Sequence, residues 1–309
     1  MIFSKPKFWH KKNSLISWML VPISLFLQLL SAIKAKITIQ KSFKIPIICV
    51  GNIYLGGTGK TPLTITIAKE LIKLKRKPAI IKKYYPEHID EHNLISDSLN
   101  CLFLEKERFK AITNAEKKEY DVAILDDGFQ DFSIKKDLNI LCFNSKQLIG
   151  NGMMIPAGPL REEIGAIKRS HIILINGDKN EMFEKKILSI SNKVKIFYSK
   201  YVPTNINEFK EKKLIAFAGI GNPDNFFSLL EENNLRIEKK IAFPDHYQFN
   251  KSDIQKLLNE SLANNLDLIT TEKDYFRIKK YAIKEIKYIK LKLEIFQKNE
   301  FLNQIKNFL

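Results

Sequence analysis

The chain of 309 residues is 45% hydrophobic and carries a formal net charge of +17, which excludes a largely disordered protein and allows two domains. Three widely spaced cysteines, Cys49, Cys101 and Cys142, lack a CxxC spacing and argue against a disulfide framework or a zinc site. Most of the 51 basic residues are lysines spread along the chain, without a nucleic-acid-binding motif. We predict no nucleic-acid partner, whereas the charge modestly favours an anionic membrane surface.

An apolar segment runs from Leu15 to Ile33 and, at about 1.5 Å per residue, is about long enough to cross a bilayer core. Its polar positions lie on one helical stripe, formed by Ser14, Ser17, Ser24, Gln28 and Ser31. Lysines flank both ends, and we expect Trp9 and Trp18 near a membrane interface. We predict that residues 1–35 form a helix embedded in one leaflet; a spanning helix and a buried core helix are the alternatives.

The rest of the chain alternates strand-like and helix-like segments. Apolar runs predict strands at 45–50, 79–81, 122–125, 138–143 and 172–175, and apolar periodicity predicts a helix at 62–74. A second unit begins with a strand at 214–218, a helix at 225–232 and a strand at 266–269. This order predicts a doubly wound α/β domain over residues 36–204 and a smaller α/β domain over 205–309, with a hinge near 195–212.

A glycine-rich loop joins the first predicted strand to the first helix of the larger domain. It consists of Gly56, Gly57, Thr58, Gly59, Lys60 and Thr61. The strict P-loop formula also requires glycine where Tyr54 stands, but the Gly-Lys-Thr core has the right strand–loop–helix context. Backbone N–H groups of such a loop face phosphate oxygens, Lys60 can reach the β- and γ-phosphates, and the Thr61 hydroxyl can bind Mg²⁺. We therefore predict a P-loop NTPase-like nucleotide site rather than an ordinary glycine-rich turn.

Asp126 ends the apolar strand at 122–125. A carboxylate in this position, beside a P-loop, is the usual arrangement for holding Mg²⁺, although without the P-loop a turn or a helix cap would be the better interpretation. The guanine-specific Asn-Lys-x-Asp motif is not found, because the nearest string, TEKD at 271–274, does not match it. ATP is therefore predicted rather than GTP.

Several longer stretches narrow the function further. They are VGNIYLGGTGKTP (50–62), ILDDGFQ (124–130), GNGMMIPAGPLRE (150–162), FAGIGNPDNF (217–226), FPDH (243–246) and TEKD (271–274). Their order from Val50 to about Arg277 resembles the tetraacyldisaccharide 4'-kinases of lipid A synthesis, and the apolar N-terminal helix fits that family. The resemblance implies ATP- and Mg²⁺-dependent phosphorylation of the 4'-hydroxyl of a lipid disaccharide 1-phosphate. It also implies a site between two domains, at the cytoplasmic face of the bacterial inner membrane.

The resemblance assigns phosphate and metal ligands residue by residue. Lys60 and Thr61 match the phosphate-loop ligands, and Arg161 matches the arginine of the PAGPLRE loop. Asp126 and Asp127 match the carboxylates near Mg²⁺. The predicted nucleotide site is thus the glycine-rich loop with Arg161, and the predicted metal ligands are Thr61, Asp126 and Asp127.

The resemblance also implies a catalytic set of Asp97, His246, Lys60 and Asp127. Asp97 matches the family's catalytic aspartate, and His246, within FPDH, matches the histidine that assists it. Alone, Asp97 would fit a loop or cap and His246 a turn, so the order of the motifs carries both assignments. The nearby string ERFKA (107–111), similar to the family's Asp-Arg-x-x-Ala, anchors the alignment.

Three places depart from the family pattern. A Ser-Arg-Gly-Tyr-Gly-Arg-like stretch is replaced by IKKYYP (81–86), the Gly and Glu around the catalytic aspartate by Ser96 and Ser98, and the His after DDGFQ by Asp131. The missing glycines and arginines favour an alternative function, a basic membrane or nucleic-acid adaptor with an inactive nucleotide fold. A membrane-docked P-loop ATPase is a further alternative. DDGFQ, PAGPLRE and FPDH favour the kinase, and the sequence carries no signal for an oligomeric state.

Overall fold

A computed structural model describes residues 6–86, 89–244 and 247–309. The chain forms two compact units that are each discontinuous in sequence. The larger unit contains residues 6–84, Leu99–Tyr201 and Leu293–Leu309, and the smaller unit contains Tyr85–Ser98 and Val202–Lys292.

The α-helices and β-strands are numbered in chain order. The helices are α1 Leu15–Ile37, α2 Lys60–Lys73, α3 Ile89–Ser98, α4 Arg108–Lys117, α5 Glu181–Ile190, α6 Pro223–Glu232, α7 Lys251–Asn264, α8 Glu272–Ile278 and α9 Lys298–Lys306. The strands are β1 Ile47–Gly51, β2 Pro78–Lys83, β3 Leu102–Glu105, β4 Val122–Asp126, β5 Leu138–Asn144, β6 Ile172–Asn176, β7 Lys195–Pro203, β8 Lys213–Ala218, β9 Arg236–Ala242, β10 Asp267–Thr271, β11 Ile286–Ile289 and β12 Leu291–Ile295.

The larger unit is built on an eight-stranded sheet with the order β12-β7-β6-β5-β1-β4-β2-β3. Neighbouring strands from β7 through β3 are parallel. All residues of β1 and β4, which are adjacent within the sheet, are buried. Strands covered on both faces need apolar side chains at every position, which explains why these segments are continuous apolar runs rather than alternating patterns.

The smaller unit is built on a four-stranded parallel sheet with the order β11-β10-β8-β9. Successive side chains of β8 point to opposite faces of this sheet. Leu214 and Ala216 pack in one buried cluster with residues of α6, whereas Ile215 and Phe217 pack in another with residues of α7. Helices therefore cover both faces of this sheet as well.

The predicted fold class is confirmed: both units are α/β, and the larger has the P-loop-type doubly wound sheet. Seven predicted strands correspond to β1, β2, β4, β5, β6, β8 and β10. The predicted hinge at 195–212 is instead occupied up to Pro203 by β7, which pairs with β6. Its sequence, KIFYSKYVP, interleaves lysine and proline with apolar residues, so the strand lacks a continuous apolar signal.

Two segments lie in a different unit from the one expected with a boundary at 204/205. The C-terminal segment returns to the larger unit, where Phe301 of α9 packs edge-to-face on Phe197 with ring centroids 5.3 Å apart. Tyr85–Ser98 belongs to the smaller unit, where α3 packs on α8 and Lys273 donates to Glu91 at 2.7 Å. Both arrangements depend on contacts between residues far apart in sequence, which local patterns do not reveal.

Helix α1 is long enough and apolar enough to cross a membrane, by length and composition. Its large apolar side chains are exposed, namely Leu15, Ile16, Trp18, Met19, Ile23, Leu25, Phe26, Leu27, Leu29, Leu30, Ile33 and Ile37. The alternative of a buried core helix does not fit this exposure. Trp9, which we expected near a membrane interface, packs inside the protein, where its Nε1 donates to the carbonyl of Pro156 at 3.0 Å.

Ser17, Ser24 and Gln28 of the predicted polar stripe face the protein, whereas Ser31 is exposed. Ser24 Oγ donates to the carbonyl of Met154 at 2.9 Å and accepts from the N–H of Ala157 at 3.1 Å. Asn151 Nδ2 donates to Ser17 Oγ at 3.1 Å. We call these contacts the polar seam; it comprises Ser17, Ser24 and Gln28 of α1 with Asn151, Met154, Ala157 and Glu163. The seam attaches α1 to the loop at 150–163.

Truncation of Phe301 tests the placement of the C-terminal segment. Phe301→Ala should destabilise the larger unit by about 3–5 kcal/mol, because it leaves a cavity beside Phe197. Asn303→Ala, on the exposed side of the same helix, should change stability by less than about 0.5 kcal/mol. Urea denaturation measures both; equal midpoints for the two variants would contradict the packing of α9 in this core.

Candidate functional site

The candidate site lies at the carboxyl ends of β1 and β4, which pair in parallel with Val50 opposite Asp126. The glycine-rich loop follows β1, and Asp127 follows β4. The carboxyl edge of an open parallel sheet is where ligands bind in doubly wound folds. The register of one strand pair thus brings the loop and the two adjacent carboxylates together.

Glycine is required at the end of the loop. Gly59 has φ +90°, a left-handed conformation, and a Cβ there would approach the hydroxyl of Tyr201 to 3.0 Å. A Cβ on Gly57 would meet nothing within 4 Å, so the loop backbone is open at that point. Helix α2 begins at Lys60, and its first N–H groups are those that bind anions at a helix N-terminus.

A single amide braces the loop from inside. Asn52 Nδ2 donates to the carbonyls of Tyr54 and Gly56 at 2.6 and 3.2 Å, and it lies 2.9 Å from Thr58 Oγ1. The side chain of Thr58 is buried by this contact. Thr58 therefore contributes its backbone, rather than its hydroxyl, to the open side of the loop.

Two cations hold the carboxylate of Asp127. Arg161 Nη1 donates to both carboxylate oxygens, at 2.9 and 3.0 Å, and Lys60 Nζ lies 3.8 Å from Oδ1. Burial alone would raise the pKa of Asp127, but Lys60 and Arg161 outweigh burial and lower it to about 2. The predicted phosphate ligands Lys60 and Arg161 thus converge on one predicted metal ligand.

The backbone at Asp127 is fixed on both sides. Asp127 has φ +59°, and its N–H donates to the carbonyl of Val50 at 2.9 Å. Arg108 Nη2 donates to the carbonyl of Asp127 at 2.7 Å, and Arg108 Nη1 donates to Asp131 at 3.2 Å. Asp131, which stands where the family has histidine, thereby orients the arginine that holds this turn.

Asp126 is fully buried, and its two carboxylate oxygens differ in their hydrogen-bond partners. Oδ2 accepts from the Thr61 hydroxyl at 3.0 Å and is contacted by Lys82 Nζ, whereas Oδ1 has no hydrogen-bond partner among the described residues. An unpaired carboxylate oxygen beside a hydroxyl fits Mg²⁺ chemically.

Within residues 6–86, 89–244 and 247–309 no cluster of three or more His, Cys, Asp or Glu side chains could hold a metal. Mg²⁺ typically takes one or two carboxylates together with substrate phosphates, so this sparse ligand set still fits.

The PAGPLRE loop pairs with the segment that leads into the P-loop. The N–H of Leu55 donates to the carbonyl of Pro159 at 2.9 Å, and the N–H of Arg161 donates to the carbonyl of Ile53 at 2.7 Å. These backbone bonds set the position from which Arg161 reaches Asp127. Because the same loop carries the polar seam, α1 and the segment before the P-loop are both attached to residues 150–163.

The predicted catalytic pair belongs to a different part of the chain. Asp97 is exposed near the end of α3 in the smaller unit, and Lys279 Nζ donates to it at 3.0 Å. The P-loop and its carboxylates belong to the larger unit. His246 lies outside the described residues; Phe243 and Tyr247 pack with ring centroids 4.9 Å apart.

The TEKD and FAGIGNPDNF stretches meet in a buried polar network of the smaller unit. Asp274 accepts from the N–H of Gly219 at 2.9 Å and from the Thr271 hydroxyl at 2.8 Å. Arg277 donates to Asp274 at 2.6 Å and to the carbonyl of Gly219 at 2.7 Å. Burial raises the pKa of Asp274 although Arg277 opposes it. These contacts give both motifs a role in holding the strand ends of β8 and β10 together.

Sequence reasoning missed four residues that shape the site: Asn52, Lys82, Arg108 and Gln130. Gln130 Nε2 donates to the carbonyl of Asn52 and to Glu162, each at 2.9 Å. Gln130 and Arg108 stand inside motifs that were recognised, but their partners depend on the fold. Lys82 offered one signal, since a lysine near the end of an apolar parallel strand is seldom buried without a carboxylate.

Comparison with known proteins places this architecture in one family. The family model for Tetraacyldisaccharide-1-P 4'-kinase matches residues 16–309. A tetraacyldisaccharide 4'-kinase of Pelagibacter ubique (strain HTCC1062) is 41% identical, over 99% of this chain and 98% of the relative. One of Francisella tularensis subsp. novicida (strain U112) is 33% identical, over 94% and 98%. The crystal structure of LpxK from Aquifex aeolicus in complex with ATP superposes with a TM-score of 0.72 at 22% identity, covering 96% of this chain and 100% of that one.

The lowered pKa of Asp127 predicts a specific pH dependence. Ionised Asp127 stabilises the folded state above the ordinary aspartate pKa of 3.8, and this contribution is lost as the pH falls towards about 2. In Arg161→Met the pKa should rise, because the strongest remaining cation, Lys60, is helped only by the weaker effect of Lys82, and the loss should begin at higher pH. Carboxyl ¹³C NMR titration measures this, with Asp127→Asn identifying the signal. Arg236→Met, which removes an exposed arginine, is the control; an unchanged Asp127 titration in Arg161→Met would contradict the ion pair.

Proposed function

This chain belongs to the tetraacyldisaccharide-1-phosphate 4'-kinase family, and we propose that it transfers the γ-phosphate of ATP to the 4'-hydroxyl of a tetraacyldisaccharide 1-phosphate. The observation that carries this proposal is the convergence of Lys60, Thr61 and Arg161 on the adjacent carboxylates Asp126 and Asp127. A glycine-rich loop, a helix N-terminus and such a charge cluster are the parts that a phosphoryl-transfer site needs.

The residues of the larger unit position and neutralise the nucleotide. The open backbone around Gly57 and the N-terminus of α2 receive phosphate oxygens, and Lys60 places its ammonium on the transferred group. The Thr61 hydroxyl and Asp126 would hold Mg²⁺, which would supply positive charge to the phosphates. Asp127 keeps Lys60 and Arg161 aligned through its ionised carboxylate.

Asp97 is proposed as the base that accepts the proton of the sugar hydroxyl, with His246 assisting it. The exposure of Asp97 supports this role, since a base must meet a bound substrate. The ion pair with Lys279 orients the carboxylate at the end of α3. The described segments on both sides of His246 belong to the same unit as Asp97.

The N-terminal helix supports attachment to a membrane at the site of a lipid substrate. Its exposed apolar surface is too extensive for a helix in water, and Ser17, Ser24 and Gln28 are already hydrogen-bonded in the polar seam. Lysines on both flanks suit an anionic lipid surface. We place the chain at the cytoplasmic face of the bacterial inner membrane, where ATP is available.

A kinase assay tests the function directly. Incubation with Mg-ATP and tetraacyldisaccharide 1-phosphate should yield a lipid with a second phosphate, detected by mass spectrometry. Lys60→Ala should lower kcat at least about 10³-fold, because Lys60 compensates charge on the transferred phosphoryl group. Lys77→Ala, which removes an exposed lysine of the same unit, should retain activity. Product formation by Lys60→Ala at the unaltered rate would reject the phosphate-loop assignment.

Vesicle flotation tests the membrane proposal. Replacing the exposed residues Leu15, Met19 and Phe26 by serine should shift the protein away from vesicles containing anionic lipid, because the buried apolar area falls. Replacing Met182 and Leu262, exposed apolar residues of α5 and α7, by serine is the matched control and should leave flotation unchanged. An equal effect of both sets would argue against α1 as the attachment site.

A further inference from the structure

Lys82 introduces an unexpected charge into the phosphate site. It is the penultimate residue of β2, which pairs in parallel with β4 so that Ile81 lies opposite Leu125. The next position along therefore lies beside Asp126. Lys82 stands in the stretch 81–86, where the sequence departs from the family pattern. The pairing of two central strands thus places this lysine, and no flexible loop is involved.

The side chain of Lys82 is 6% exposed, and that of Asp126 is fully buried. A buried ammonium is stable only with a close counter-charge, and Lys82 Nζ contacts Asp126 Oδ2. The Thr61 hydroxyl donates to the same oxygen at 3.0 Å. Lys82 therefore shares Oδ2 with the Thr61 hydroxyl and places its positive charge on a carboxylate whose Oδ1 has no hydrogen-bond partner among the described residues.

The site as a whole carries more cations than carboxylates. Asp126 and Asp127 face three cationic groups, those of Lys60, Lys82 and Arg161. This excess of positive charge favours an anion even without a metal. A lysine also has a flexible stem of four carbons, so its ammonium can exchange a carboxylate for a phosphate oxygen nearby.

We propose that Lys82 is an additional cationic residue of the nucleotide site, with two alternative partners. Without nucleotide, its ammonium occupies Asp126 Oδ2 and competes with divalent cations. With ATP bound, the ammonium leaves Asp126 for a phosphate oxygen and frees the carboxylate for Mg²⁺. Metal and nucleotide then bind as a pair rather than separately. This inference rests on the proposed nucleotide site.

Two binding measurements on the full-length protein in detergent test the exchange. Mn²⁺ binding without nucleotide, followed by electron paramagnetic resonance, should become at least about tenfold tighter in Lys82→Met, because a competing charge is removed. ATP binding without divalent metal, followed by calorimetry, should become at least about tenfold weaker, because a phosphate partner is lost. Lys77→Met should change neither affinity.

The opposite signs separate this role from a structural one. A lysine that only supports the fold would, when replaced, weaken both Mn²⁺ and ATP binding, and that result would overturn the proposal, as would two unchanged affinities. If Lys82→Met does not fold, Lys82→Gln, which keeps a donor without charge, decides by the same two measurements. Lys60→Met serves as the reference. Normal ATP binding in Lys60→Met would reject the nucleotide site itself, whereas weak binding there with unchanged affinities in Lys82→Met rejects only the role of Lys82.

Discussion

The larger unit is organised around two adjacent carboxylates at the end of one buried strand. The buried carboxylate of Asp126 is stable only with a positive partner, and the partly exposed Asp127 has cationic partners as well, all drawn from different segments. Lys82 comes from the end of β2, Lys60 from the start of α2, and Arg161 from the loop after β5. Four separate parts of the chain therefore have to meet at one point, and the parallel register of β1, β4 and β2 is what allows it.

The need for a cation beside Asp127 also links the site to helix α1, through the loop at 150–163. The loop that supplies Arg161 is held on one side by backbone hydrogen bonds to the segment before the P-loop. It is held on another side by the polar seam with α1 and by buried Trp9. The smaller unit solves a comparable problem independently, with Asp274 and Arg277 buried together at the ends of its own central strands.

The sequence predicted those features that depend on neighbouring residues. Local signals include the continuous apolar runs of β1 and β4, the Gly-Lys-Thr core and the carboxylates at the end of β4. The family resemblance, which rests on the order of the motifs, added Arg161 to the predicted site. Features that depend on long-range packing escaped it. The membership of α3 in the smaller unit rests on contacts with α8, and the return of α9 rests on Phe197. The partner of Lys82 follows from the register of two strands, which no local pattern specifies.

In α1 the few polar residues of the polar seam are more specific in their contacts than the many apolar residues. The leucines, isoleucines and phenylalanines of α1 face outward and need only be apolar. One can therefore replace another with little effect on the packing of the protein. Ser17 and Ser24 lower the hydropathy of the helix, but they fit one particular loop and leave no room there for larger side chains. A foreign apolar helix of equal length would leave the carbonyl of Met154 and the N–H of Ala157 without Ser24. Helix α1 is therefore fitted to the loop that supplies Arg161, and chimaeras that exchange this helix would disturb that loop as well as replace an apolar surface.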